Sequence, residues 1–266
     1  MRADRTLCHP GAVDGRPVEQ PADRHAVYTD LAPWWPLLSP VAGYEAQAAY
    51  IATLLHSAAL PVTDLLELGS GGGHVAAHLK RHFRMTLVDL SPQMLQVSRR
   101  LNPRCRHAHA DMRSVRLGTT FDAVLVHDAI GYMTTVDDLA AALATTFAHC
   151  RPGGMAVFVP DHVTETFASG SDHGGSDGDD GRGARYLTWT WDPDPTDTWV
   201  LTRYAVLLRR PGGDVEVHQD LHRTGLFSRG LWLALLAEAG FEASAVEEDT
   251  DDDRPPRTVF VGHRPR

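Results

Sequence analysis

One acidic residue precedes a group of glycines in a short stretch that could bind a nucleoside, a phosphate or another polar ligand. The stretch ELGSGGGH begins at Glu67 and ends at His74. The apolar residues before it, 63–68, predict a strand, and residues 74–82 predict a helix. A glycine turn between a strand and a helix directs backbone N–H groups toward a ligand that meets no Cβ. The stretch therefore predicts a binding site at the end of a strand.

The spacing of this turn differs from that of the dinucleotide-binding fingerprint. G-x-G-x-x-G counted from Gly69 requires glycine at the position that His74 occupies. The chain instead has E-x-G-x-G-x-G from Glu67, and Asp89 ends the next predicted strand. A carboxylate at that strand end can accept hydrogen bonds from a ribose diol. The pattern indicates a nucleoside-containing ligand, and a purely structural glycine loop is the alternative.

Composition restricts the class of protein and its partners. The 266 residues suit one large α/β domain, and the net charge of -9 argues against a nucleic-acid partner. Cys8, Cys105 and Cys150 have no metal-binding or disulfide spacing, and the Asp-rich residues 172–180 lack the spacing of a calcium loop. No stretch has the ~20 apolar residues of a membrane span. We expect a cytoplasmic protein that binds no metal, nucleic acid or membrane.

The first part of the chain alternates predicted strands and helices. Residues 1–26 are rich in proline, glycine and charge, which predicts a disordered tail. Helices are predicted at 43–56, 74–82, 91–101 and from 135 onward, and strands at 63–68, 85–89, 107–110, 121–130 and 155–161. This order predicts a doubly wound α/β fold with a mostly parallel, Rossmann-like sheet.

The pattern changes after the fifth strand. Residues 169–183 have no apolar periodicity, which predicts a mobile loop that orders over bound substrate. Three antiparallel strands are predicted after it, at 185–191, 199–210 and 215–222. A helix at 229–239 and strands at 241–248 and 258–264 then complete the sheet. We therefore divide the chain into the tail, a domain at 27–266, and a substrate-binding insertion at 169–227 within it.

Four motifs resemble those of the class I S-adenosylmethionine (SAM) dependent methyltransferases. They are ELGSGGG, VDLS after the second strand, HADM after the third, and RPGG before the fifth. The resemblance implies a seven-stranded sheet, SAM as the cofactor and S-adenosylhomocysteine as its product. IGYM, PDHVTETF and LHRTGLF are similar to motifs of bacterial amino-sugar N-methyltransferases. The HDA at 127–129 and the long loop at 169–183 depart from that pattern, so the substrate need not be a sugar.

The resemblance also implies which residues bind SAM. The backbone of Gly69, Ser70 and Gly71 would border the methionine part, with Glu67 beneath its ammonium, and Asp89 would bind the ribose. The remaining implied contacts, around the adenine ring and the lid, involve Tyr28, Leu90, Met94, Asp111, Met112 and His127. Ordinary helix packing is an alternative for Met94, and a loop-capping role is one for Asp111.

Candidate catalytic residues lie near the predicted strand ends. His127 ends the fourth strand, His222 lies in LHRTGLF, and Tyr28 lies in the segment that covers SAM in this family. A structural hydrogen bond is the alternative for each histidine. His162 and His173 are weaker candidates. Methyl transfer depends mainly on alignment, so a general base is useful but not obligatory.

The expected activity is methyl transfer from SAM to a nitrogen or oxygen of a small molecule in bacterial natural-product biosynthesis. The alternatives are non-methyl SAM chemistry and a non-catalytic SAM-binding protein. The expected partners are a small acceptor and, for the assembly, a second copy in a homodimer. Among the aromatic residues, Trp34 and Trp35 are expected to fix the lid to the core. Leu187, Trp189 and Trp191 share one strand face that is expected to pack in the core.

Overall fold

The structure, a computed structural model, describes residues 25–248 and 256–266. It contains a seven-stranded sheet and a four-stranded antiparallel sheet. The predicted tail up to residue 24, and the acidic connection at 249–255, lie outside the described residues. None of the described helices is long and apolar enough to cross a bilayer. Location in the cytoplasm stays a prediction.

Eleven strands and six helices are described, together with short 3-10 turns. The strands are β1 Asp64–Leu68, β2 Arg84–Asp89, β3 Arg106–His109, β4 Phe121–His127, β5 Cys150–Val159, β6 Gly170–Gly174, β7 Gly183–Trp191, β8 Trp199–Arg209, β9 Val215–Gly225, β10 Glu242–Glu247 and β11 Thr258–His263. The helices are α1 Trp35–Leu38, α2 Glu45–His56, α3 His74–Leu79, α4 Pro92–Leu101, α5 Val136–His149 and α6 Arg229–Ala239.

The large sheet has the strand order β10-β11-β5-β4-β1-β2-β3. Strand β11 runs in the direction opposite to the other six strands, so the sheet is mostly parallel. The predicted doubly wound fold with an antiparallel sheet inserted after the fifth strand is confirmed. Because parallel strands end at the same edge, the residues that follow β1, β2, β4 and β5 meet there.

Local sequence signals explain where the helices begin and end. The Ser91 hydroxyl accepts the Met94 N–H at 3.1 Å, and the Thr135 hydroxyl accepts the Asp138 N–H at 3.1 Å. These side chains satisfy donors that the first helical turn leaves unpaired. Gly240, in the left-handed region at φ 106°, ends α6 as predicted. Helices α2 and α3 cover one face of the large sheet, and α5 and α6 cover the other.

The prediction of a loop at 169–183 is wrong for residues 170–174, and ordering of the segment over bound substrate stays a prediction. Residues 170–174 form β6, an edge strand that pairs with β7, and Ser171 lies opposite Trp189. After β6, the Ser176 N–H donates to the Leu37 carbonyl at 2.8 Å. A strand edge is paired through backbone groups, so a segment of glycine, serine and aspartate can extend the sheet without apolar side chains. The inserted sheet therefore has four strands rather than three.

The outer face of the inserted sheet also corrects a prediction. Leu187 is 54% exposed and Trp189 is 65% exposed, so neither side chain packs in the core. The opposite face is the buried one, since Ala184 and Leu208 pack there against Val27 in the N-terminal segment. Alternation along a strand separates the two faces, but the sequence does not say which face is buried. Trp191, on the same face as Trp189, is half-buried.

Candidate functional site

The glycine turn is held in place by the neighbouring strand. The Val88 carbonyl accepts the N–H groups of Gly69 and Ser70 at 2.8 and 2.9 Å. The next amide, that of Gly71, donates to the Asp89 carboxylate at 2.7 Å. Gly69 and Gly71 have φ angles of +74° and +51°, where side chains are strained. The turn therefore requires glycine at both positions, as its sequence predicted.

Asp89 links the turn to the start of α4. Its second carboxylate oxygen accepts the N–H of Ser91 at 2.7 Å. Burial raises the pKa of Asp89, and the amides of Ser91 and Gly71 act in the opposite direction. Each carboxylate oxygen can accept a further hydrogen bond. Asp89 can thus orient the turn and still accept a ribose hydroxyl.

Unpaired polar atoms concentrate on the segment from Glu67 to His74. Among the described residues, seven buried side-chain nitrogen and oxygen atoms lack a well-aligned hydrogen-bond partner. Four of them are on this segment: Glu67 Oε2, Ser70 Oγ and both ring nitrogens of His74. An unsatisfied buried polar atom costs about 1–3 kcal/mol. Their concentration on one turn fits a polar ligand that supplies the missing partners.

Glu67 has the chemistry expected of a site for a cationic ligand. It is only 2% exposed, and burial together with the charges of Asp89 and Asp128 raises its pKa to about 8. A nearby ammonium would stabilise the ionised carboxylate and hydrogen-bond to Oε2. The residues on this turn therefore fit the amino-acid part of SAM.

On the predicted adenine side, Asp111 is tied to an arginine that the sequence analysis did not identify. Arg113 donates to both carboxylate oxygens of Asp111 and, through Nη1, to Asp138 at 3.0 Å. Burial would raise the pKa of Asp111, but the hydrogen bonds from Arg113 outweigh it and lower the pKa. The side chain of Asp111 remains 27% exposed. Its orientation is therefore fixed by Arg113 before any ligand binds.

The apolar residues assigned to adenine occupy different environments. Leu90 is 47% exposed beside this edge of the sheet, whereas Met94 is 1% exposed and packs against Ala32 and Val97. The Met94 Cε atom lies 3.6 Å from where a Cβ on Gly71 would stand. Met94 therefore supports the turn from α4, which favours the packing alternative for this residue. A Cβ on Gly69 would meet the side chain of Met112, so Met112 lies against the turn from the other side.

Residues 25–44, called here the lid segment, lie across the site. The Ser91 hydroxyl donates to the Tyr28 carbonyl at 2.5 Å, which ties the segment to α4. The Trp35 ring lies 5.3 Å from that of Tyr28, and the Arg182 guanidinium lies 5.1 Å from the Trp34 ring. Both tryptophans therefore pack within or beside the lid segment.

A hydrogen-bonded chain runs from the lid segment to β9. The Tyr132 hydroxyl donates to the Tyr28 hydroxyl at 2.9 Å and lies 2.8 Å from Nδ1 of His222. Nε2 of His222 lies 3.2 Å from Asp220 Oδ2, which also accepts the Val27 N–H at 3.3 Å. His222 is 1% exposed, so its side chain does not line a cleft. Its hydrogen bonds connect it to the Tyr28 hydroxyl through Tyr132, and its ring lies 5.6 Å from the Tyr28 ring between centroids.

His127 is also buried behind other side chains. It is 5% exposed, and its Nε2 atom lies 3.3 Å from an Arg257 nitrogen. Its Nδ1 atom lies 3.3 Å from Asp128 Oδ2. Both ring nitrogens therefore face protein groups.

Arg257 joins three acids at the carboxyl edge of the sheet. It donates to Asp128 at 2.8 Å and to Glu248 at 2.9 Å, and it lies 3.7 Å from Asp161. Asp128 has a φ of 47°, and it is the only described residue other than glycine with a positive φ. Such strain persists where surrounding contacts enforce it, often at functional sites.

Two acids of this group are partly exposed, since the Asp128 side chain is 40% exposed and that of Asp161 is 45% exposed. Protein encloses the Asp161 carboxyl group on its other sides, and this burial, with the charge of Asp128, raises its pKa to about 7. The charge of Asp161 in turn raises the pKa of four tyrosines. We use the name acceptor cleft for the region around Asp161 and these tyrosines. The tyrosines are Tyr28, Tyr44, Tyr132 and Tyr204.

Several residues of this region were not predicted from the sequence. Tyr132 and Asp161 lie in the IGYM and PDHVTETF motifs, which were recognised without a role for either side chain. Asp220 lies two residues before His222, so their shared strand face was the available signal. No local pattern connects Arg257 to Asp128, which is 129 positions away.

Comparison with known proteins agrees with the fold. Residues 65–154 match the model of a methyltransferase domain family. The chain is 31% identical over 221 residues to dTDP-3-amino-3,4,6-trideoxy-alpha-D-glucopyranose N,N-dimethyltransferase of Streptomyces venezuelae, covering 82% of this chain and 90% of that protein.

Two solved structures share the architecture. The structure of Streptomyces venezuelae DesVI has a TM-score of 0.78 and 28% identity, covering 90% of this chain and 99% of that chain. SAM-bound CalS10, an amino pentose methyltransferase from Micromonospora echinaspora, has a TM-score of 0.70 and 27% identity, covering 83% of this chain and 91% of that chain. The chain belongs to the class I SAM-dependent methyltransferase family, with SAM as its methyl donor.

Proposed function

We propose that this chain methylates the amino group of an amino sugar or a similar small amine. The Streptomyces venezuelae relative is named as a dimethyltransferase of an amino sugar, and this chain covers 90% of it. The observation that carries the proposal is the position of Asp161. Its carboxyl group is partly exposed and has a pKa of about 7, and its charge acts on four tyrosines of the acceptor cleft.

Asp161 suits the proton chemistry of an amine acceptor. A protonated amine has no lone pair for attack, so it must lose a proton before methyl transfer. Asp161 is partly ionised near pH 7 and can take that proton, and general base catalysis typically contributes 10²–10⁴-fold. When bound, SAM would supply an activated methyl group on its sulfonium, and S-adenosylhomocysteine would be the leaving group of the in-line displacement by the neutral amine. Correct alignment by the cleft can lower the barrier by about 7–11 kcal/mol.

The tyrosines of the acceptor cleft would hold the acceptor through neutral hydroxyl groups. Burial raises the pKa of Tyr44 to about 12 and raises the pKa of Tyr28 well above its ordinary value, so both stay protonated at neutral pH. Because Tyr28 accepts a hydrogen bond from Tyr132, its own O–H can donate to a ligand. The Tyr28 ring can also attract the sulfonium by a cation–π contact of ~0.5–2 kcal/mol. We therefore assign Tyr28 direct contact with the reactants.

We assign His222 and His127 positioning roles. His222 would orient Tyr132, and through it Tyr28, because its Nδ1 atom lies 2.8 Å from the Tyr132 hydroxyl. His127 would fix Arg257 and Asp128 at the end of β4. Neither ring lines the cleft, so these roles replace the direct catalytic roles expected from the sequence.

For the donor, we propose the following contacts. Glu67 would pair with the ammonium, the backbone of Gly69–Gly71 would border the methionine part beside Ser70, and Asp89 would accept the ribose hydroxyls. Leu90, Asp111 and Met112 would border the adenine. Met94 would act from beneath the turn. Calorimetric titration of Asp89→Ala and Glu67→Gln with SAM tests these assignments.

We also propose that residues 27–266 form one methyltransferase domain in which residues 169–227 bind the acceptor. Tyr204, on β8, and Tyr132, after β4, contribute to the same cleft, which supports this division. On the outer face of the inserted sheet, an apolar patch is exposed, formed by Leu187, Trp189, Leu207, Val215 and Val217.

We propose that a second copy of the chain covers this patch. Leu207 lies opposite Val217 in register, so the apolar residues form a continuous surface across three strands. Two such faces can pack as sheets about 10 Å apart around a two-fold axis.

The acceptor class is tested by incubating the full chain with SAM and a panel of small molecules. The panel contains amino sugars, both nucleotide-linked and free, together with phenols and carboxylates. Mass spectrometry should find methylated amines and S-adenosylhomocysteine. Methylation of phenols or carboxylates without any methylated amine would overturn the proposal.

A further inference from the structure

Three metal-binding side chains meet where the lid segment contacts β9. His25, Asp220 and His222 each offer one ligand atom, and these atoms lie within 4.8 Å of one another. Asp220 is 3% exposed and His222 is 1% exposed, whereas His25 is half-buried. The rings of His25 and His222 lie 4.0 Å apart between centroids. Because His25 is far from β9 in sequence, no spacing motif predicted this cluster.

The hydrogen bonds around His222 leave its Nε2 atom available to bind a cation. The Tyr132 hydroxyl uses its hydrogen toward Tyr28, so the Nδ1–H of His222 donates to the Tyr132 oxygen. In the neutral ring, Nε2 then carries a lone pair, and it faces the Asp220 carboxylate oxygen at 3.2 Å. Among the described residues, this carboxylate oxygen is the polar partner of Nε2. Two buried electron-pair donors at this distance are stabilised by a positive charge between or beside them, which a proton on Nε2 or a bound metal ion can supply.

From this geometry we propose that His25, Asp220 and His222 form a site for a divalent transition-metal ion such as Zn²⁺. Two imidazoles and one carboxylate are common zinc ligands at ~2.0–2.2 Å, with water completing a tetrahedron. The hydrogen bond from Nδ1 to Tyr132 is of the kind that orients metal-bound histidines. Small movements of His25 on the lid segment would close the coordination sphere.

The site would fasten the lid segment to the inserted sheet. Asp220 already accepts the Val27 N–H at 3.3 Å, so the metal would strengthen an existing junction. Its effect would reach the acceptor cleft through His222 and Tyr132. The proposal concerns metal binding alone and does not depend on the identity of the acceptor.

Zinc titration of the full chain, stripped of metal with a chelator, tests the proposal. Isothermal titration calorimetry with ZnCl₂ should show one ion per chain, and zinc should raise the Tm. His25→Ala should weaken binding at least 30-fold and abolish the rise in Tm, while circular dichroism verifies its fold. His25 is the preferred position because the buried Asp220 is more sensitive to substitution.

Two controls separate this site from other zinc ligands. His173→Ala, which alters an exposed histidine of the inserted sheet, should bind zinc within threefold of the wild type. The double variant Cys8→Ser, His9→Ala should do the same, because those residues could chelate zinc without the proposed cluster. Failure to bind one ion per chain, retention of binding within threefold in His25→Ala, or loss of binding in the Cys8/His9 variant would each overturn the proposal.

Discussion

The Asp89 carboxylate accepts the amide hydrogen of Gly71 at 2.7 Å, so the acid that ends β2 closes the glycine turn that follows β1. The same carboxylate holds the N–H of Ser91 at the start of α4. One side chain therefore connects two strand ends and a helix. A ligand that uses Asp89 meets a turn that is already formed.

Replacing Asp89 with alanine should weaken SAM binding by tenfold or more, which is about 1.4 kcal/mol. The variant loses the acceptor for the ribose and the bond that orients Gly71. Isothermal titration calorimetry measures the effect, and Glu238→Ala, at an exposed position of α6, is the matched control. A dissociation constant for Asp89→Ala equal to that of the control would remove Asp89 from the SAM site.

Glu67 should make both stability and SAM binding depend on pH. The folded protein keeps the Glu67 proton up to a pKa of about 8, whereas the unfolded chain releases it near 4.5. Between these values the folded state binds more protons, so this group's contribution to the free energy of unfolding falls as pH rises. Glu67→Gln should therefore reduce the loss of Tm between pH 5 and pH 8.

Binding of SAM should expel the same proton, because its ammonium favours the ionised carboxylate. Calorimetry at pH 7 in buffers of different ionisation enthalpy should detect release of part of one proton by the wild type. Glu67→Gln should release less and bind SAM more weakly. Equal proton release by both proteins would show that Glu67 does not pair with the ammonium.

His222 and Tyr132 should act as one unit. His222→Ala and Tyr132→Phe should each reduce methyl transfer, and the double variant should lose little more, because both changes release the same Tyr28 contact. SAM affinity should stay within about threefold of the wild type, a difference below ~0.7 kcal/mol. The kcat and KM of all three variants and of His173→Ala provide the measurement. Additive losses would place the two side chains in separate roles.

The apolar patch on the inserted sheet should control assembly. Trp189→Asp should convert the proposed dimer to a monomer, because it buries a charge between the two sheets. Val136→Glu, on an exposed position of α5, should leave the assembly unchanged. Sedimentation velocity distinguishes the two states. A wild-type chain that stays monomeric at micromolar concentration would rule out the dimer.

Local signals were sufficient to predict most of the fold. The run at β4 is apolar enough for burial on both faces, and Ser91 and Gly240 mark helix ends through their own chemistry. By contrast, β6 forms because β7 offers it an unpaired strand edge. Nothing in the residues of β6 indicates that this edge is available. Trp189 shows a related limit, because alternation gives two faces without saying which one is covered.

The candidate site also has one part that the sequence predicts and one part that it does not. The donor side lies on consecutive residues from Glu67 to Gly73, so its spacing was informative. The acceptor cleft combines Tyr28, Tyr132, Asp161 and Tyr204 from four separate segments. Only the folded chain brings Asp161 near Asp128, and this proximity contributes to its raised pKa. The roles proposed for His127 and His222 differ from those expected from the sequence for the same reason, since their burial is a property of packing.

Transfer of a methyl group to an amine depends on Asp161 in the proposed reaction. Its pKa of about 7 means that the carboxylate form, which can take the amine proton, increases as pH rises through neutrality. Asp161→Asn should lower kcat/KM by roughly 10²-fold and flatten this rise, while SAM affinity stays within threefold. Glu165→Gln, an acid nearby that lies outside the cleft residues, is the control.

The most direct measurement uses a matched pair of acceptors, an amino sugar nucleotide and its counterpart with hydroxyl in place of the amine. Mass spectrometry follows both in one reaction with the full chain and SAM, from pH 6 to pH 8. We predict a methylated amine whose rate of formation rises with pH in the wild type, and no methylated hydroxyl counterpart. Methylation of the hydroxyl compound at a comparable rate, or of neither compound while a phenol or carboxylate is methylated, would contradict an amine methyltransferase.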